Sequence, residues 1–395
     1  MPTNRFRPLR RAMAIIAILA ALSPAATKAE GRELEGIRIS PRPRGPLPAE
    51  LQAQLRQAVA ETMDTFDVPG AAVGVFVPGK GSWVHAAGVA NLETSEPVTA
   101  EMSWPLRSVT KSFTVTLLLQ LADEGRLGLG DTIDRFVRGV PHGREITLRQ
   151  LANMTSGVAE YTTSRFVEDF LADPDRLFTI DELNAYALEQ PAQFLPGARH
   201  VYTNTSTNLI GAAIEEAAGR RFSRVLDERI LRPLGLLETN YVEVPRQWPR
   251  PHPVGYQPGD HGLEPQLTNF SIYGPAGAMV STLEDQRVWG EILATGRLLS
   301  RRAQARRLEG AFPLDGGPEY DRYALGIGQI EGWWGHTGEG FGFTALTMHD
   351  APTGATVVVF MNIAKPSKSG HPPTALFRKI ASLIAPGSAP ARPAP

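Results

Sequence analysis

The stretch Pro105-Leu-Arg-Ser-Val-Thr-Lys-Ser-Phe-Thr-Val-Thr-Leu-Leu-Leu-Gln-Leu-Ala-Asp-Glu-Gly125 decides how the rest of the chain is read. From Ser108 to Gly125 it has helical character, and Val115–Leu121 is apolar nearly all round, which predicts a helix buried on every side. Pro105 breaks structure just before it. Ser108 therefore opens the helix, where unpaired backbone N–H groups and the helix dipole favour a developing negative charge. Ser108-Val-Thr-Lys111 is also the only Ser-x-x-Lys in the sequence. Residues i and i+3 share a helix face, so the amine of Lys111 can reach the hydroxyl of Ser108. Burial lowers the pKa of such a Lys, and a neutral amine can accept the serine proton. The plain structural alternative makes Ser108 an N-cap and Lys111 a solvated first-turn charge.

Composition makes that lysine conspicuous. The 395 residues carry 40 Lys and Arg, of which 34 are Arg and 6 are Lys, and there is no Cys. Arg cannot lose its proton in a protein, so Lys111 is a choice and not a habit of composition. The missing Cys excludes thiol nucleophiles, disulfides, Cys-ligated zinc and iron–sulfur clusters, and lipid anchors on Cys. No Gly-x-Ser-x-Gly and no His-Glu-x-x-His occurs, so neither a nucleophile elbow nor a zinc hydrolase is indicated. Gly74–Gly81 nearly matches a phosphate-binding loop but has Gly81 where Ser or Thr must hold Mg²⁺. No metal and no cofactor is expected.

Outward from the helix, Ala49–Asp67 reads as a helix, and Ala71–Val77 with Trp83–Val89 reads as a hairpin around Pro78-Gly-Lys-Gly81. From about 126 to 245 the periodic segments are helical: 147–154, 164–172, 180–189, 205–218 and 221–231. Thr179-Ile-Asp-Glu182 is a capping box. After about 275 a helix near 282–295 precedes strand-like runs at Tyr323–Ile330, Phe343–Met348 and Ala355–Asn362. A helix over Pro373–Leu383 closes the body. Strands at both ends with helices between predict one α/β domain built from 49–125 and 275–384, with an all-helical domain over 126–274 inserted in it. The cleft between them is the natural site.

The termini read as processing and linker segments. Residues 1–29 have a basic head, an apolar run at Ala12–Leu22 and small residues, the layout of a signal peptide cleaved between about Ala25 and Ala29. Residues 30–48 form a Pro-rich lead-in, and 385–395 a disordered tail. Without residues 1–29 the net charge moves from −1 to −6. A mildly acidic exported chain has no electrostatic reason to bind nucleic acid, and no transmembrane anchor is expected in the mature form. Arg301, Arg302, Arg306 and Arg307 form the one basic cluster, read as a solvated helix face.

Two further motifs support the catalytic reading of Ser108. Tyr202-Thr-Asn204 is the only Tyr-x-Asn in the chain and precedes a helix. A phenol near a cationic Lys is acidified and can shuttle protons, while Asn offers a donor and an acceptor to an amide. His336-Thr337-Gly338 lies in a Gly-rich stretch entering a strand, where a substrate backbone can approach closely. With these three ordered motifs the chain resembles the penicillin-recognising serine hydrolases: class C β-lactamases, D-alanyl-D-alanine carboxypeptidases, D-aminopeptidases and related esterases. Ile146–Gly157 and Ala276–Asp285 are also similar to that family, and the resemblance covers about 50–365.

The resemblance implies an antiparallel sheet flanked by helices. It implies Ser108 as nucleophile, Lys111 and Tyr202 as base and acid, and Asn204, His336, Thr337 and Gly338 as substrate-binding residues. The backbone N–H groups of Ser108 and Glu339 would form the oxyanion hole. The expected activity is that of an exported serine hydrolase working through an acyl-enzyme, first a D-alanyl-D-alanine carboxypeptidase or D-peptidase. Carboxylesterase and β-lactamase are alternatives in the family, and a non-catalytic penicillin-binding sensor is the alternative of another class. The substrate would be a small molecule or peptide with a D-amino acid, ester or β-lactam group. His336 stands where class C β-lactamases have Lys. A part-charged His there would make affinity for carboxylates fall as pH rises from about 5.5 to about 8. Arg107, Arg322, Lys365 and Lys368 are the candidate partners for a terminal carboxylate.

Overall fold

The computed structural model describes residues 33–34, 36–244, 247–314, 319–364 and 370–385. The expected leader, the tail past Ala385, Lys365 and Lys368 lie outside the described residues. The hairpin read around Pro78 is present as β1 (Gly70–Val77) and β2 (Gly81–Asn91), extended by a short β3 (Glu96–Pro97). Much later in the chain come β4 (Phe312–Pro313), β5 (Arg322–Tyr323), β6 (Gly328–Ile330), β7 (Trp333–Gly340), β8 (Phe343–Asp350) and β9 (Ala355–Met361). All nine join one antiparallel sheet in the order β4-β5-β6-β7-β8-β9-β1-β2-β3. Two distant stretches of chain thus meet where β9 pairs with β1.

Alternation along the central strands builds two cores. Val73, Val75, Leu346, Met348, Val357 and Val359 face one side, where they pack with Leu55 and Val59 of α1 (Ala49–Thr65) and with residues of the closing helix (Pro372–Ile384). Ala72, Phe76, Ala345, Val358 and Phe360 face the other side. Successive strand side chains point to opposite faces, so a strand buried on both sides reads as an unbroken apolar run. All eight residues of β1 are indeed buried.

The core on the second side takes in α2 (Thr110–Asp123), preceded by a 3₁₀ turn at Arg107–Val109. Residues 110–119 and Leu121 are buried, so helix packing covers α2 on all sides. The inserted stretch contributes α3 (Leu148–Ala152), α4 (Ser164–Ala172), α5 (Ile180–Leu188), α6 (Asn204–Ala218) and α7 (Phe222–Leu226). The helix of α7 runs on through Asp227–Leu231 to Leu234. Phe113 stacks on Trp289 of α8 (Leu283–Thr295) at 3.6 Å between ring centroids, and Trp289 Nε1 donates to Ser112 Oγ at 2.9 Å. Burying each Leu of α2 contributes roughly 1.5–3 kcal/mol, which makes this helix a rigid mount.

Three readings differ from the structure in detail. The inserted region is helical for the most part but also holds a hairpin, Tyr256–Gly259 with Gly262–Pro265. Trp333–Gly340, read as a Gly-rich entry to a strand, is itself a full strand of the sheet; backbone pairing does not need large side chains. The Arg cluster is not wholly a solvated face. On α9 (Arg301–Leu308), Arg301, Arg302 and Arg306 are exposed, but Arg307 is buried against α2 and donates to Thr116 Oγ1. The closing helix is α10 (Pro372–Ile384).

Candidate active site

Ser108 sits in the 3₁₀ turn that feeds α2, and Lys111 lies on the first turn of that helix. Lys111 is fully buried, against the solvated alternative. Its Nζ lies 2.9 Å from Ser108 Oγ, 2.7 Å from Asn204 Oδ1 and 3.0 Å from the Ala276 carbonyl. Burial pulls the amine down to about 7, with Glu160 and Glu319 opposing the shift. A neutral amine has two N–H groups and one lone pair. Asn204 Oδ1 and the Ala276 carbonyl can only accept, so both N–H groups go to them. The lone pair is left facing Ser108 Oγ, the one neighbour that can donate.

Asn204 is the first residue of α6, whose N-cap Thr203 accepts from the Ser206 N–H. The Asn204 N–H itself goes to Glu160 Oε2 at 2.7 Å. An acid at a helix N-terminus is favourably placed, and here it fixes the helix start that presents Asn204 to Lys111. Ser206-Thr-Asn208 lies inside α6 as packing: Asn208 is buried and its Oδ1 accepts from Ala276 N.

Tyr202 lines the cavity beside Ser108, and its ring centroid lies 5.0 Å from Lys111 Nζ. The expectation of an acidified phenol is overturned. Burial, then Tyr323 and Tyr320, push Tyr202 well above the usual phenol range. The cause is plain: Lys111 is itself desolvated to near neutrality, so no full positive charge stands beside the ring. Tyr202 as a whole is 37% exposed and faces the cavity it shares with Ser108.

The third motif enters on β7. On β7, β6 pairs only with Trp333–Gly335, so among the described residues no strand lies on that side from His336 onward. The turn that carries Ser108 lies there instead. A Cβ on Gly338 would stand 2.2 Å from Leu106 O and 3.0 Å from Ser108 N, so only Gly allows the approach. The carbonyl of Gly338 lies 3.2 Å from His371 Nε2.

His336 does not carry the charge expected of it. It is fully buried, and burial lowers its pKa to about 3. Nδ1 lies 2.6 Å from Thr337 O and 2.9 Å from the Tyr320 hydroxyl, while Nε2 lies 3.0 Å from that of Tyr323. The imidazole is thus a neutral post between two phenols, and the loss of carboxylate affinity expected between about pH 5.5 and about 8 has no titrating imidazole behind it. Thr337 Oγ1 donates to Glu319 Oε2 at 3.0 Å and lies 2.7 Å from the Tyr320 hydroxyl.

A cavity of about 370 Å³ gathers these groups. Ser108, Tyr202, Asn204, Thr337, Gly338 and Glu339 line it, with His200, Leu314, Glu319, Tyr320 and Tyr323. His336 is not in that lining. No Arg or Lys is among the described lining residues. Of the candidate carboxylate partners, Arg107 is buried and donates to Gly340 O and Phe341 O, and Arg322 donates to Ala311 O. Glu160, Glu319, Tyr320, Tyr323 and His200 escaped the sequence reading. Only the Tyr320-x-x-Tyr323 spacing offered any signal. A second hollow, of about 300 Å³ and lined by Phe178, Asp181, Glu215, Arg221 and Tyr241, holds no nucleophile beside a base. Among the described residues no group of three or more His, Asp or Glu is placed to hold a metal ion, and no helix is long and apolar enough to cross a membrane.

Known proteins share this architecture. A D-aminopeptidase of Brucella anthropi is 28% identical over 322 residues, covering 75% of this chain and 59% of its own. The chain thus spans well under two thirds of that relative. A D-stereospecific amidohydrolase from a Streptomyces species superposes with a TM-score of 0.72 at 29% identity, over 85% of this chain and 98% of that one. The D-amino acid amidase of Ochrobactrum anthropi SV3, in complex with D-phenylalanine, shares the fold with a TM-score of 0.76 at 23% identity, over 85% of this chain and 99% of its own. The beta-lactamase family model matches residues 55–379. That match begins in α1, ends in α10 and takes in every residue lining the cavity, so the chain belongs to the beta-lactamase family of penicillin-recognising serine hydrolases.

Proposed function

We propose that the chain is a serine hydrolase that forms an acyl-enzyme on Ser108 and acts on amides or short peptides of D-amino acids with a free amino group. The observation that carries this reading is the buried Lys111 Nζ, 2.9 Å from Ser108 Oγ. Lys111 takes the proton as Ser108 Oγ attacks the carbonyl. The N–H groups of Ser108 and Glu339 receive the oxyanion. The proton held by Lys111 is relayed by way of Tyr202 to the leaving amine, which leaves both groups neutral; in deacylation Lys111 takes a proton from the attacking water and returns it to Ser108 Oγ as the acyl group leaves. Asn204 and Thr337 bind the substrate amide. His336 supports Thr337 and the two phenols without a charge of its own.

Charge in the cavity selects among the family's substrates. A carboxypeptidase must pair a terminal carboxylate, and no described lining residue is cationic. Glu319 lines the cavity instead, held by Thr337, and suits a substrate ammonium. The names of the relatives, D-aminopeptidase and D-amino acid amidase, point the same way. Esterase action on small acyl groups needs only the same nucleophile and oxyanion hole, and so accompanies this reading. We also read 49–125 with 275–384 and 126–274 as two domains, since His200, Tyr202 and Asn204 meet Ser108 and β7 across the cavity. Export through the leader at 1–29 completes the proposal.

Intact-mass measurement tests it, after exposure to D-phenylalanine amide, p-nitrophenyl acetate and a β-lactam, with Ser108→Ala as control. The expected result is turnover or a Ser108 adduct that the control lacks. No adduct and no turnover with all three, or turnover by the control, overturns the assignment.

A further inference from the structure

Arg107 stands directly before Ser108, and no proton transfer requires it. Three observations single it out. It is 1% exposed, yet its recorded hydrogen bonds go to carbonyls: Nε to Gly340 O at 3.1 Å and Nη2 to Phe341 O at 3.0 Å. Its guanidinium lies 4.5 Å from the ring centroid of Tyr273, with Phe343 at 5.3 Å and Phe270 at 5.5 Å. Its backbone has φ +49°, in the left-handed region that non-Gly residues seldom enter.

A permanent charge among aromatic rings is costly to bury, and left-handed backbone adds strain. Both costs fall on one residue beside the nucleophile. Their common result is a fixed link between two chain segments. Arg107 precedes Ser108, and Gly340-Phe341 follows Glu339, so the tie runs between the neighbours of the two oxyanion donors. Gly338 is already threaded against Leu106 O and Ser108 N on the same side. A planar fork that reaches two successive carbonyls holds orientation as well as distance, which one ammonium on a flexible stem does not.

We propose that Arg107 is a positioning residue for the oxyanion hole: its guanidinium ties the end of β7 to the nucleophile's turn and sets the spacing of the Ser108 and Glu339 N–H groups. The proposal rests on the acyl-enzyme reading above. Its chemistry acts in the tetrahedral state, so the signature is a loss in kcat without a matching change in KM.

The test uses p-nitrophenyl acetate turnover and inhibition by phenylboronic acid. In the latter, Ser108 Oγ bonds to boron, its proton passes to Lys111, and a boron-bound oxygen occupies the oxyanion position. Arg107→Met is expected to lower kcat by about 10- to 100-fold, with KM within about 3-fold, and to weaken boronate inhibition by a similar factor. Arg107→Lys keeps the charge without the fork and is expected to lose about 5-fold in both. Arg107→Gly relieves the left-handed backbone and removes the fork, so it is expected to fall as far as Arg107→Met. Native kcat and boronate affinity in Arg107→Gly overturn the proposal, leaving Arg107 a merely local role. A fall in kcat with unchanged boronate affinity overturns it as well. If Met and Gly at this position do not fold, Arg107→Lys decides, and native values in it sink the tie. Ser108→Ala in the same assays separates the two readings. Turnover in Ser108→Ala removes the acyl-enzyme, whereas a dead Ser108→Ala beside fully active Arg107 variants removes only the tie.

Discussion

Two buried cations flank Ser108, and they differ in the one property that matters. Lys111 lies three residues after it, with an amine drawn down to about 7 and with Ser108 Oγ, Asn204 Oδ1 and Ala276 O around it. Arg107 lies one residue before it; burial lowers its pKa too, but guanidinium starts so high that it keeps its charge. Desolvation of the same kind therefore yields a proton acceptor on one side and a permanent structural charge on the other. Residue type decides which, because only the ammonium's pKa can be brought within reach of working pH.

Replacing the titrating cation breaks that comparison most sharply. Lys111→Met is expected to lower kcat/KM for p-nitrophenyl acetate by about 10³-fold or more. Lys111→Arg, which keeps charge and loses only the ability to deprotonate, is expected to fall as far; substantial activity in it would remove Lys111 as the base. In the native enzyme the rate should rise with pH through about 7, the value to which burial brings Lys111, and then level off because Tyr202 stays protonated. A limb that falls as pH rises through 7 contradicts the neutral-amine mechanism. Next comes the passage between nucleophile and strand. Gly338→Ala puts a Cβ 2.2 Å from Leu106 O and is expected to lower kcat about 100-fold by displacing the oxyanion strand, measured beside thermal stability to separate it from unfolding.

His336 supplies a smaller effect, on stability. Its folded pKa is depressed to about 3, so the unfolded chain binds the extra proton as pH falls below the usual imidazole value near 6.5. The stability it contributes is present above that value and is lost as pH drops toward 3. His336→Gln should narrow the difference in stability between pH 7 and pH 4.5 by about 2 kcal/mol, read from urea midpoints at both pH values. An unchanged difference would mean that His336 is accessible to protons in the fold. The mildest change is Glu319→Gln. It should shift the kcat/KM ratio of D-phenylalanine amide to p-nitrophenyl acetate about 10-fold against the amide, and an unmoved ratio takes Glu319 out of ammonium recognition.

How much of this was legible follows from how each residue acts. Ser108 and Lys111 are neighbours on one helix turn, so local spacing brings them together. Tyr202 and Asn204 announce themselves by standing at a helix start, and the apolar flanks of α2 foretell its burial. Glu319 and Glu160 gave no such sign. Each is one acid among 41 Asp and Glu, and only the sheet's closure and the start of α6 turn them toward Lys111. Arg307 misled for the opposite reason. Its spacing with Arg302 and Arg306 is that of a solvated helix, yet α9 rotates it onto Thr116. The strand at Trp333–Gly340 was hidden because its Gly residues carry no β signal, while its seven cross-strand partners on β8 do the pairing.

The sequence alone singled out Ser108 as the candidate nucleophile, Lys111 as its candidate base and the order of motifs, because these depend on residue type and on spacing along one chain. It also placed strands at both ends around a helical insertion, since periodicity is a local property, but it missed the hairpin within that insertion. Protonation belonged to tertiary structure. Lys111 near 7, His336 near 3 and Tyr202 held neutral all follow from which distant segments exclude water from each group. A pKa is set by the medium around an atom, and the chain makes that medium only once it has folded.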